Sequence, residues 1–103
     1  MAPTVPLRRM SGEMTATVGR DFYVFDGRVL EIFGHGNAIR FHVRHMHVRT
    51  TGPNRKGQRI VEIAHGRPES RGTIHVWRYS AAEWEQSPDL AALLQAVQTA
   101  TAF

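Results

Sequence analysis

The chain contains no cysteine, which excludes disulfides, thiolate metal ligands and thiol nucleophiles. That fits a reducing compartment without demanding one. Long apolar runs are missing too: none approaches the roughly 20 residues that a spanning helix requires. The opening "MAPTVPLRRM" carries arginines but no apolar segment behind them, so it does not read as a secretory signal. A disordered arm is expected over residues 1–13, extended by Pro3 and Pro6, with one domain over 14–103. Catalytic signatures are equally scarce. There is no Gly-x-Ser-x-Gly, no phosphate-cradling glycine loop and no His-Glu-x-x-His. Lysine is almost absent, since twelve of the thirteen basic residues are arginine. Arginine suits bidentate contacts to phosphate and carboxylate, although a GC-rich genome yields the same bias.

What remains is the composition of a small globular domain, 103 residues with 42% hydrophobic and 21% charged residues, enough for one core. The net charge of +4 is unevenly spread. From Arg20 to Tyr79 there are 11 bases against 5 acids, whereas Ser80 onward has three acids and no base. Such a basic body with an acidic end segment points to an anionic partner or a surface of matching polarity.

Short β-prone runs dominate the first 79 residues. "MTATV" at 14–18 is followed by "FYVFDGRVLEIF", two apolar runs around Asp26-Gly27. An Asp-Gly pair in that setting predicts a tight hairpin with φ > 0 at both turn positions, joining strands at about 21–26 and 28–33. "GHGN" at 34–37 reads as a turn. In "NAIRFHVRHMHVRT", Asn37 to Thr50, the inward set Ile39, Phe41, Val43 changes parity before Met46 and Val48. A strand cannot do that without an extra residue, so a bulge or break is expected near Arg44–His45. "RIVEIAH" and "TIHVWRY" supply the last strands, separated by turn-rich loops.

The period then changes. Ser80 and Glu83 form a capping-box pattern, and Ser87-Pro88-Asp89 starts a second helix with Ser87 as its expected N-cap. Leu90, Leu93, Leu94, Val97 and Thr101 then recur at helical spacing, as an amphipathic helix on a sheet requires. The expected class is α+β, mainly β: about seven antiparallel strands in two packed sheets or a partly open barrel, capped by a C-terminal amphipathic helix.

This order of elements resembles the pleckstrin-homology-like (PH-like) superfold, particularly its short bacterial forms. The resemblance rests on the "VFDGRVLEIFG" hairpin, the interrupted "IRFHVRHMHVR" strand pair and "WRYSAAEW…LAALLQAV", and spans about Met14 to Ala100. It implies sheets of four and three strands with a helix capping one open end, and a binding module for peptides, proteins or lipids that often self-associates. Phosphoinositide-binding members carry a basic motif between their first two strands. Here that loop is only about "GRD", one arginine beside an aspartate.

The densest chemistry lies in the interrupted pair. His42, His45 and His47 have the spacing of metal ligands, but Arg40, Arg44 and Arg49 crowd the same face and no carboxylate lies in the stretch. A cationic face is the better reading: Arg40, His42, Arg44, His47 and Arg49 outward, with Arg55, Lys56 and Arg59 in the adjoining loop. It should strengthen as pH falls through the reference histidine value of about 6.5. Glu62 with His65 or His75 is a conceivable acid–base pair, more often a structural contact. Trp77, Tyr79 and Trp84 are expected to lock the helix to the sheet.

The sequence therefore supports a non-enzymatic, cofactor-free binding or scaffolding module, cytoplasmic or peripheral at a membrane. It would recognise a protein or peptide through the basic face, with self-association an added option. Two alternatives stay open: a binder of anionic ligands such as lipid headgroups or nucleic acid, and a small histidine-using enzyme or ligand carrier.

Overall fold

Alternation of buried and exposed residues sets the strands of the computed structural model, which describes residues 13–34, 36–67 and 69–101. Strands β1 (Met14–Val18), β2 (Asp21–Phe25), β3 (Val29–Gly34) and β4 (Asn37–His42) form one antiparallel sheet in chain order. Strands β5 (Met46–Thr51), β6 (Arg59–Arg67) and β7 (Ser70–Tyr79) form a second. No ladder joins the sheets among the described residues, so they pack face to face and do not close into a barrel. Helices α1 (Ala81–Glu85) and α2 (Pro88–Thr101) complete the fold. The arm expected over 1–13 lies, Glu13 apart, outside the described residues.

The parity change is realised as a break. Residues Val43–His45 form a 3-10 turn, and the chain leaves the first sheet before it and enters the second after it. Val43 stays buried while Arg44 and His45 point to solvent. The hairpin is present too, but its turn differs from the two-residue form expected. Asp26 Oδ1 accepts from the amides of Arg28 and Val29, 2.8 Å each, so Asp26-Gly27-Arg28 forms a side-chain-capped loop with φ of +99° at Gly27. Those two amides hold the Asp26 carboxyl below the ordinary carboxylate range.

The core is built from both sheets and α2. Tyr23, Leu30, Phe41, Val61, Ile63, Leu90, Leu93 and Val97 are all buried within one cluster. Each such leucine contributes roughly 1.5–3 kcal/mol by leaving water. Helix α2 packs against β1, β2, β5 and the 3-10 turn. It thereby covers the side of the sandwich between β1 and β5. The Ser80–Glu83 capping box forms as expected, with both reciprocal hydrogen bonds. Ser87 stands at the N-cap position directly before α2, as expected, with its carbonyl accepting from the Leu90 amide at 3.0 Å, and its hydroxyl donates to the Thr17 carbonyl at 2.6 Å, which ties α2 to β1. No helix among the described residues is long and apolar enough to cross a membrane.

Candidate functional site

The expected cationic face is divided by the break, because β4 and β5 belong to different sheets. Arg40 lies opposite Glu31 on β3 and binds it at 2.6 Å. Arg49 lies opposite Glu62 on β6 and binds it at 2.8 Å. Cross-strand carboxylates thus neutralise the two strand arginines. Glu62 is accordingly committed to Arg49, and the acid–base pairs considered for it do not form. Inward alternation instead stacks His65 on Phe41 at 4.6 Å between centroids, with His75 edge-on to both.

Arg55 and Lys56 are exposed in the β5–β6 loop, which Asn54 organises by accepting from the amides of Lys56 and Gln58. Arg59 lays its guanidinium over the Trp84 ring at 5.5 Å. These three sit at the far end of β5 from the 3-10 turn, about 17 Å away at strand rise.

His42, Arg44 and His45 do come together, at the corner where the chain changes sheets. Arg28, which was not among the residues of the expected face, joins them. Its carbonyl accepts from the Val43 amide at 2.9 Å, which draws the β2–β3 hairpin against the 3-10 turn. Arg28, His42, Val43, Arg44, His45 and Ala100 line a wide concavity of about 780 Å³. Two arginines and two histidines are in this lining, and no Asp or Glu among the described residues. His42 Nδ1 accepts from the Arg44 amide at 3.1 Å, which fixes the imidazole relative to the turn. His47 does not join: it turns half-buried on the second sheet, where its Nδ1 donates to the Gly66 carbonyl at 3.2 Å. The histidine rings of 42 and 45 are 5.8 Å apart, so the three do not converge as ligands. Among the described residues no group of three or more His, Asp or Glu could hold a metal ion.

A second polar feature lies inside the sandwich. Asp21 begins β2 on the inward phase and is only 6% exposed. Tyr79 donates its hydroxyl to Asp21 Oδ2 at 2.8 Å. That spends its only proton, so Tyr23 must donate in the 2.7 Å contact between the two hydroxyls. Burial, reinforced by the Asp21 charge, pushes both phenols up, so they stay neutral. Tyr79 therefore anchors a carboxylate, a role beyond the helix-locking expected of it. A clue was available in the sequence: Asp21 shares parity with Tyr23 and Phe25, which places it inward.

Comparison with protein-family models, curated proteins and solved structures finds no match for this chain.

Proposed function

We propose that the chain is a non-enzymatic binding module that receives an acidic segment of a protein partner at the corner formed by Arg28, His42, Arg44 and His45. The observation that carries this reading is the concavity lined by Arg28, His42, Arg44 and His45 with no Asp or Glu among the described lining residues, set against Arg40 and Arg49, whose charges are already paired. Guanidinium groups bind carboxylates in a bidentate fashion, and imidazoles add further donors. The same reading takes the chain as PH-like and cytoplasmic. Sheets of four and three strands with a C-terminal helix support the former.

The test is fluorescence anisotropy with a labelled glutamate-rich peptide. The double reversal R28E/R44E is expected to weaken binding at least about tenfold, and added salt to weaken it further. Reversal of Arg55 and Lys56, distant from the corner, should change little. Tighter binding of a single-stranded oligonucleotide or anionic vesicles than of the peptide would overturn the protein-partner reading, as would indifference to R28E/R44E.

A further inference from the structure

We propose that the open side of the sandwich, between β4 and β7, is a binding site for an alkylammonium group, with Asp21 as its counter-ion. This site is separate from the basic corner and does not depend on it. Helix α2 covers the β1 and β5 side. On the other side, Phe41 of β4 meets His75 of β7 across the sandwich. Beside that contact lies a cavity of about 100 Å³, lined by Asp21, Ile32, Gly34, Asn37, Ile39 and Trp77.

One atom in this lining is out of balance. Asp21 Oδ1 is fully buried and has no hydrogen-bond partner among the described residues. A buried, unpaired carboxylate oxygen is costly and calls for a donor. Gly34 makes the arrangement possible, since a Cβ there would collide with Oδ1. The other carboxylate oxygen is spent on Tyr79, and the cavity that Asp21 lines is the space from which a donor for Oδ1 can come.

The lining selects the chemistry. An anion is excluded by the carboxylate. A divalent metal wants several oxygen ligands, and here one carboxylate and the Asn37 amide are all that is offered. A guanidinium favours a two-oxygen partner, but only one oxygen is free. An ammonium has three N–H donors in a compact head. Once it displaces the cover over the buried Oδ1, it can donate to that oxygen and to the Asn37 carbonyl oxygen while lying near the Trp77 indole, whose ring attracts cations. Ile32 and Ile39 then flank its methylene stem. At about 30 Å³ per water-sized group the cavity takes the head and roughly two carbons. The group comes either from a free amine or from a lysine side chain of a partner peptide.

Tryptophan fluorescence in a Trp84→Phe background, which leaves Trp77 as the reporter, tests this directly. Propylammonium chloride is expected to give a saturable change, with a dissociation constant on the order of 1 mM, that sodium chloride does not reproduce. A blocked Ala-Lys-Ala peptide competes in the second arm. Tighter binding of the peptide than of the amine assigns the group to a side chain, and the reverse to a free amine. Asp21→Asn places an amide donor where the acceptor was and should abolish saturation. If that variant fails to fold, Ile39→Phe fills the cavity with Asp21 intact and should do the same. No saturation in the parent protein, or saturation unaffected by a folded variant, overturns the proposal and leaves the cavity to water.

Discussion

Replacing Tyr79 by phenylalanine removes one oxygen atom, yet it should cost far more than the same change at Tyr23. The two hydroxyls are 2.7 Å apart, and the tyrosines are 3% and 0% exposed, so both variants delete a buried oxygen of equal size. The difference lies in what is left behind. Tyr23→Phe loses one neutral hydrogen bond and leaves Tyr79 donating to Asp21, a loss of about 1 kcal/mol. Tyr79→Phe leaves the Tyr23 hydroxyl without its acceptor and Asp21 without its only donor among the described residues. Orphaning a neutral donor and a carboxylate together should cost about 3 kcal/mol or more. For a domain of this size that is a drop in Tm of about 15 °C, against about 5 °C for Tyr23→Phe. Urea denaturation followed by circular dichroism measures both, with equal m values required for the comparison. Equal losses in the two variants would refute the assigned direction of the chain Tyr23 to Tyr79 to Asp21.

The same network governs alkaline behaviour. Both phenols are raised above their ordinary value, so their contribution is complete below about pH 10, where the unfolded phenol titrates, and declines as pH rises further. Since Tyr23 and Tyr79 are the only tyrosines, phenolate absorbance should appear only together with loss of far-ultraviolet dichroism; an earlier rise would contradict the burial of either. At the hairpin, Asp26→Ala should cost about 1 kcal/mol by freeing two amides, whereas Asp26→Asn keeps the acceptor and costs less. The Asp26 carboxyl is depressed, so its contribution is present above the ordinary carboxylate value and lost as pH falls below it. Acid titration of stability should therefore be shallower in Asp26→Asn than in the parent. Gly34→Ala should destabilise by about 1–3 kcal/mol through collision with Asp21, and a double-mutant cycle with Asp21→Ala should recover most of that loss.

The strands, hairpin, capping box and terminal helix were legible because each is written in local periodicity or in a few adjacent residues. The break was legible for the same reason, since Val43 and Met46 cannot share a face of one uninterrupted strand. Its consequence was not. Whether a break bends one strand or moves the chain to a second sheet depends on partners that a single stretch does not show. The pairing of Arg40 with Glu31 and of Arg49 with Glu62 is likewise a matter of register between strands, and it removed two residues from a face that looked uniformly basic. Arg28 joined through a backbone contact 15 residues along the chain, from Val43 to the hairpin. Ser87 was legible as the residue that opens α2, but the bond from its hydroxyl to the Thr17 carbonyl, 70 residues away, was not.

The tie between Ser87 and Thr17 spans 70 residues, and the Tyr79 contacts with Tyr23 and Asp21 span 56 and 58. The first strands are therefore completed by segments made much later. During synthesis, the inner face of the first sheet waits for β7 and α2 before its phenols, carboxylate and leucine-binding surface are satisfied. Contacts this remote slow folding, because loop closure must precede their reward. A chain cut after β6 would keep most of its strands yet lack the partners that close the core.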